Sequence, residues 1–505
     1  MSGLARLGWP ERTVVAGLFV ALAAFFPWFE EIHSANELSR LYLANAMVQD
    51  GTVAIDRQLQ QLGPTHDKAV KDGHFYSDKA PGVALWAAPV VWSYLRFADA
   101  PSLAGEMRLA RLWVSTIPTA LLLLFLLVFL AEHIADRGLR LVLVTAYALG
   151  SLATTYGLLL FGHQLSAVVL FAAFLCARRA GPDVSAGRAL AVGALCAAAL
   201  LVEYQNVVFV LPLAVFFLVR TRANLRALAL AVAGAAPLLV VLGAYHHAAF
   251  GSAFKTGYSF LDSSFKDVHA QGLLGIKTPR LDHLWLSLLS PAKGLFAFAP
   301  WLVLAVPGLA LAWRAGGDGR MALVMALLMT LFVASMVYPD GGWTVSQRHL
   351  TPMVPWLLLP VGLFVQRVPW TRPVLTGLVV VSVVVTGVST IVWPHYQEQL
   401  RNPFFQVGWP LFEDGWLPPS LFGAVGLSSK TVALAIGVLV AAGLAYDLVR
   451  SGGRPWRVAA WLAIAVALPI LWRAGMRGVA ADQDVRRDVT WIQSVYQPDP
   501  VKPPR

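Results

Sequence analysis

Directly after a hydrophobic run near its start, 13-TVVAGLFVALAAFFPWF-29, the chain concentrates charge: 30-EEIHSANELSR-40 holds Glu30, Glu31, His33, Glu37 and Arg40. A second charged stretch, 73-GHFYSDKAPG-82, carries Tyr76, Asp78 and Lys79. Farther on, single polar or aromatic side chains stand at the ends of apolar runs. They are His163 in 159-LLFGHQLSAVV-169, Glu203 and Tyr204 in 199-ALLVEYQNVV-208, and Tyr258 in 254-FKTGYSF-260. Lys293 lies in 290-SPAKGLFAFAPW-301, and Trp343, Arg348 and His349 in 338-YPDGGWTVSQRHL-350. A carboxylate such as Glu37 can take a proton from an attacking group, and cations can hold an anion. An acid at a span end, such as Glu203, is expensive in lipid and usually functional. His33, Glu37 and His163 would make a small site for a divalent metal (Mg, Mn or Zn) if their loops converge.

Each residue also has a plainer reading. Apolar positions at Leu38, Leu41, Tyr42, Ala46 and Met47 predict a short amphipathic helix over 37–48. Ser34 or Asn36 would cap it, and Glu37 would then be the acid that suits its first turn. Lys79 reads equally as a headgroup anchor, and Trp343 and Arg348 as members of an interfacial belt.

The elements that must position these residues are membrane helices. Of 505 residues, 57% are hydrophobic and 13% charged, where a soluble chain carries roughly a quarter charged residues. Apolar runs near span length recur along the whole chain, so it reads as an all-α polytopic membrane protein. The spans fall near 12–28, 112–131, 141–161, 164–177, 189–202, 206–219, 226–246, 297–313, 321–337, 351–366, 373–393, 431–449 and 457–473. The formal charge of +11 does not point to nucleic acid, because the arginines sit between apolar runs. Cys176 and Cys196 fall inside spans, which excludes a disulfide framework or a thiolate metal site. The N-terminal run continues past "ALA" at 21–23 and reads as a retained anchor instead of a cleaved signal.

Arginines decide the topology. If the apolar stretch 81–97 does not cross, one side collects Arg6, Arg12, Arg137, Arg140, Arg178, Arg179, Arg188, Arg220, Arg222 and Arg226. Arg314, Arg320, Arg367, Arg372, Arg450, Arg454 and Arg457 join them. The expectation is therefore about 13 spans, with 81–97 as an interfacial or re-entrant helix. The N-terminus is then inside and the C-terminus outside, in a bacterial cytoplasmic membrane. Residues 1–473 form the membrane domain and 474–505 a short outer tail, disordered over 497–505. All long polar loops, including 29–111 and 247–296, fall on the outer face. Tyr245, His246 and His247 open the 247–296 loop, which suits a mobile cover.

The stretches "NELSRLYLANAMVQDG" and "GHFYSDKAPG" resemble the first loop of the GT-C glycosyltransferases, in particular the group of the lipid A aminoarabinose transferases and protein O-mannosyltransferases. Glu37, Met47 and Gly51 keep that group's spacing, and 75-FYSDKAP-81 matches its later segment with Lys79 at the lysine. The resemblance is clearest over 29–205. It implies a GT-C fold and transfer of a sugar from a polyprenyl-phosphate donor to an acceptor, with inversion at the anomeric carbon. The leading aspartate of the family falls on Asn36, the arginine two residues after the glutamate on Ser39 with Arg40 one place later, and a later aspartate on His163. Either Glu37 has taken the base role, which is the favoured reading, or the base lies elsewhere, with His163 able to serve as a base or a metal ligand, or the chain is not an active transferase. Lys79, Arg348, Lys293 and Arg40 are expected at the donor phosphate, and Tyr76, Asp78, Glu203, Tyr204, Tyr258, Trp343 and His349 around the substrates. A transporter or flippase of lipid-linked sugars is the rival, with Asn36 marking lost catalysis, although few charges lie mid-span as a transport path requires. A glycan polymerase or ligase of the same fold would add a lipid-pyrophosphate site at Arg348. The family's soluble C-terminal domain has no counterpart in the tail, which counts against an oligosaccharyltransferase.

Overall fold

The structure, a computed structural model, describes residues 7–26, 28–262, 265–269, 271–272, 275–452, 463, 483–495 and 498–501. The expected span 457–473 lies almost wholly outside the described residues. Among those residues the fold is helical apart from a two-stranded antiparallel hairpin, β1 (Lys68–Lys71) with β2 (His74–Ser77). Six helices are long and apolar enough to cross a membrane: Leu103–Ala131, Leu225–Phe250, Gly317–Ser335, Arg348–Arg367, Pro369–Val392 and Ser429–Arg450. Gly162–Arg178, Ala186–Val202, Tyr204–Arg220 and Pro300–Arg314 are shorter apolar helices.

Polar contacts separate the bundle into two ends. At one, ion pairs tie Glu11 to Arg137 and Arg140, and Arg372 to Asp136 and Asp447. Asp318 pairs there with Arg178 and His133, and Glu132 with Arg178 and Arg179. Arg137, Arg140, Arg178, Arg179 and Arg372, expected on a single side, do meet at this end, while Arg6, Arg454 and Arg457 lie outside the described residues. The candidate chemistry lies at the other end of the same helices, with His163 opening Gly162–Arg178 and Glu203 closing Ala186–Val202.

The helix Gly82–Phe97 stays at that second end. Its C-terminal tyrosine, Tyr94, accepts from the Ser102 backbone, and in the next helix, Leu103–Arg111, two arginines three residues apart return to the first loop. Arg108 bonds Glu30 at 2.9 Å, and Arg111 bonds Glu37. Val83, Ala84, Ala87 and Val91 are buried on one face while Trp86, Trp92 and Phe97 are exposed, as an interfacial helix requires.

One expected span is broken. Residues 141–161 were read as a single helix, but Arg137–Leu149 stops at Gly150, a short helix Leu152–Tyr156 follows, and 157–161 run without helical structure. Gly150 and a Ser151–Thr154 capping box interrupt the helix, and neighbouring hydroxyls replace the lost backbone bonds. Ser115 donates to the Leu159 carbonyl at 2.7 Å, Thr116 to Gly157 at 2.8 Å, and the Trp301 indole to Gly150 at 2.7 Å. Likewise the expected span 297–313 opens with separate short turns, Leu295–Phe298 and Pro300–Leu304, before Ala305–Arg314.

The tail also departs from expectation. Gln483–Ser494 is a helix, and Asp499 anchors the turn at Leu417 and Ser429. Ile492 is buried, and Trp491 packs on Trp343, Trp393 and His33, so apolar surface holds this segment onto the first loop.

Helix Leu225–Phe250 packs along Ala186–Val202 through two glycines. A Cβ at Gly193 would fall 1.7 Å from the Ala231 carbonyl oxygen, and one at Gly234 2.1 Å from that of Leu190. This close approach places Tyr245 and His246 at the loop end of the bundle.

Candidate active site

The first loop follows its N-terminal apolar helix, Trp9–Ala24, as helix Ala35–Asn45, capped by Ser34, whose hydroxyl accepts from the Glu37 backbone N–H at 3.4 Å. One helical turn presents Asn36, Ser39 and Arg40 in sequence. Arg40 donates from Nε to the Asn36 side chain at 3.0 Å and from a terminal nitrogen to Glu203 at 2.5 Å. Its other terminal nitrogen is buried without a hydrogen-bond partner.

Lys79 leaves the β2 strand beside this turn and bridges two carboxylates, Asp67 at 2.8 Å and Asp78 at 3.0 Å. Burial pulls the Lys79 amine down, but Asp67 and Asp78 outweigh it and hold the group well above its ordinary value. Burial raises both aspartates. For Asp67 the nearby Lys79, Arg348 and Arg40 win and lower it; for Asp78, burial and the charge of Asp67 keep it raised. Ser39 caps Asp78 at 3.4 Å and Ser77 at 2.8 Å. Asp67 is the half-buried carboxylate of the pair, while Asp78 is buried.

Arg348 reaches the same cluster from the far side. Its charge acts on Lys79, Asp67 and His163, and its guanidinium lies 5.5 Å from the centre of the Phe161 ring. Among the described residues no carboxylate pairs with it, and its Nε is buried without a partner. His163 and His349 stack edge-on at 5.0 Å, and one amide, Gln205, bonds a ring nitrogen of each. Tyr258 packs edge-on against Tyr204 and is pushed up to about 12, by burial first. Tyr204 in turn bonds His246 at 2.8 Å.

The structure thus brings Asn36, Arg40, Asp78, Lys79, His163, Glu203, Tyr204, Tyr258, Arg348 and His349 into one neighbourhood. It does not treat the remaining expected residues that way. Glu37, the expected base, is fully buried and points to the other side of its helix. Arg111 grips both its oxygens, at 2.7 and 2.8 Å, and the Leu160 backbone N–H donates to it at 2.6 Å. Burial would raise its pKa; the Arg111 charge and bonds outweigh that and keep it ionised. A carboxylate so enclosed is poorly placed to meet an acceptor, and it serves instead as the partner of a backbone N–H freed by the broken span. Lys293, expected on phosphate, spends its amine on loop carbonyls. Tyr76 packs on Phe250, and Trp343 on the tail helix.

The three residues expected to hold a metal are not together. His33 bonds the Val495 carbonyl and lies 3.7 Å from Glu31, Glu37 pairs with Arg111, and His163 faces Gln205. Among the described residues no three His, Cys, Asp or Glu side chains are grouped to hold a metal ion. Held apart in this way, the three side chains do not fit a metal ion.

Four further residues stand at or behind the site, beyond those that the sequence marks. Asp67 sits in the charge run 66-HDK-68, Gln205 follows Tyr204, Arg111 heads a span, and His395 closes one, 3.7 Å from Glu37.

A polytopic helical bundle with irregular segments at one end, a first loop bearing interfacial helices and a charged cluster beneath it is a GT-C-type membrane fold. Solved structures share it. The chain is similar to ArnT from Cupriavidus metallidurans bound to undecaprenyl phosphate, at 15% identity and a TM-score of 0.51 over 90% of this chain and 75% of that one. The same protein in the apo state matches at 14% identity and 0.48, over 86% and 76%. No family model and no curated protein matches the sequence.

Proposed function

We propose that the protein is a glycosyltransferase that moves a sugar from a polyprenyl-phosphate donor to an acceptor at the membrane face where the first loop lies, with inversion. One observation carries the reading: Arg348 brings an uncompensated positive charge, with a buried unpartnered N–H, to a cluster in which Lys79 and Arg40 are otherwise balanced by acids. Such a site wants an anion, and a lipid phosphate at headgroup depth supplies it. The likeness in fold to a protein solved with undecaprenyl phosphate supports the same ligand class.

In the proposed reaction the phosphate oxygen leaves as an already stable anion, held by Lys79 and Arg348, so no general acid is needed. The acceptor hydroxyl loses its proton to a carboxylate as its oxygen bonds the anomeric carbon. Asp67 takes that role in place of Glu37, because it is the ionised carboxylate at Lys79 that reaches the surface of the cluster. Part of the 247–296 loop lies against the hairpin of the first loop: Leu261 bridges to Ala69, and Asp262 lies 3.5 Å from Lys68. The outer side of a bacterial cytoplasmic membrane is the expected location.

The test is transfer of labelled sugar from a lipid-phosphate pool in nanodiscs, with undecaprenyl phosphate binding measured in parallel. Arg348→Ala should weaken lipid binding. Asp67→Asn should keep binding and lower turnover by about 10²–10⁴, the usual share of a positioned base. Lipid binding without transfer from any donor tried would favour the transporter or flippase. Wild-type binding in Arg348→Ala would remove the phosphate site.

A further inference from the structure

The amine of Lys293 is 1% exposed on its residue and donates to three oxygens of one loop: the Gly342 carbonyl at 2.9 Å, the Thr344 carbonyl at 2.8 Å and the Thr344 hydroxyl at 3.3 Å. The Ser346 hydroxyl returns a bond to the Lys293 carbonyl at 3.0 Å, and Tyr156 donates to the Val345 carbonyl at 2.7 Å. That loop is strained. Gly341, Gly342 and Ser346 all have positive φ, of 72°, 78° and 56°, and Ser346 carries a side chain in that region. A conformation of this kind persists only where its surroundings enforce it, and a buried amine donating to two inward-turned carbonyls does so. The loop delivers Arg348. A Cβ at Gly342 would lie 4.0 Å from a terminal nitrogen of Arg348, so the guanidinium rests between Gly342 and the Phe161 ring.

We infer that Lys293 is a positioning residue for the donor phosphate: it holds loop 338–347 in its left-handed course and thereby sets the Arg348 guanidinium against Gly342, without touching the lipid itself. The inference rests on Arg348 being the phosphate ligand proposed above. It deepens that reading by adding a residue that acts on the ligand only through the 338–347 loop and Arg348, from a different segment of the chain.

A positioning role predicts non-additivity with Arg348, which a general loss of stability does not. Undecaprenyl phosphate affinity is measured in nanodiscs for wild type, Lys293→Met, Arg348→Ala and the double variant. Lys293→Met should weaken binding roughly tenfold, the size of one lost charge-assisted hydrogen bond to phosphate. Lys293→Met should add nothing in the Arg348→Ala background. Ser346→Ala, which removes a single tie of the same loop, should give a smaller loss that also vanishes with Arg348→Ala, and it serves if Lys293→Met does not fold. Equal losses for Lys293→Met with and without Arg348 would overturn the inference, as would wild-type affinity in both loop variants. If Arg348→Ala itself binds as wild type, the phosphate assignment fails instead, and the two failures are distinct.

Discussion

Glu37→Gln separates a structural carboxylate from a catalytic one. Both oxygens of Glu37 are engaged by Arg111 and one also by the Leu160 N–H, and both partners are buried. Removing one charge of such a pair leaves the other buried and uncompensated, which costs about 3–5 kcal/mol. Glu37→Gln is therefore expected to lower thermal stability sharply in detergent, and to lose turnover only through misassembly of the first loop. The companion is Glu37→Gln with Arg111→Met. The amide oxygen still accepts from Leu160, the stranded guanidinium is gone, and most of the lost stability should return, since a buried pair exchanged for neutral groups of like volume is often near neutral. Turnover per folded molecule in that double variant should stay within about tenfold of wild type, well short of the 10²–10⁴ that a positioned base contributes. Thermal unfolding followed by tryptophan fluorescence and labelled-sugar transfer on the same preparations read both quantities. A Glu37→Gln protein as stable as wild type yet inactive would refute the reasoning and return Glu37 to the base role.

Three further expectations follow from named contacts. Lys79→Ala leaves Asp67 and Asp78 without the cation they share; lipid binding should fall at least roughly tenfold, and Lys79→Arg should restore part of it. Burial lowers His395 from 6.5 to about 4, so it is neutral at pH 7; its contribution to stability is complete above 6.5 and is lost as pH falls through 4. That gap corresponds to about 3 kcal/mol, so His395→Gln should flatten the acid side of the stability profile between pH 7 and 4, and an unchanged profile would count against it. Gly193→Val would drive a side chain into the Ala231 carbonyl and part the two helices there; a destabilised protein with weakened donor binding is expected, and wild-type behaviour would mean the helices tolerate separation.

Much of this molecule could be read from its sequence, and the limits have physical causes. Span periodicity and arginine placement locate most helices and pair the basic stretches correctly, because lipid leaves the chain few alternatives. Chemistry-bearing residues at span ends are legible for the same reason: His163, Glu203 and Arg348 stand where charge or polarity is costly, and the structure brings them together. The direction in which a side chain leaves its helix is not legible. Asn36 and Glu37 are adjacent, yet only Asn36 faces Arg40, because successive residues on a helix point about 100° apart. The role of Glu37 depends on a break at Gly150–Ser151 that an apolar run conceals, since Leu158, Leu159 and Leu160 look the same in a helix or in an extended stretch. Arg111 did leave a signal. It is an arginine at the loop-side start of an apolar run, away from the end where most arginines collect, and a charge in that place asks for a partner.

The Leu225–Phe250 helix, held chiefly by its glycine contact with one neighbour and otherwise exposed, has 26 residues. At 1.5 Å each it is about 39 Å long, against a hydrocarbon slab of about 30 Å. Its tilt is then set partly by the lipid around it, and its last turn but one carries Tyr245, which bonds the Ser77 carbonyl at 3.1 Å beside Asp78 and Lys79. The bilayer thereby acts as a ruler on the protein: acyl-chain length alone, varied in nanodiscs of uniform lipids, should change how Tyr245 meets the first loop and with it the rate of the proposed transfer.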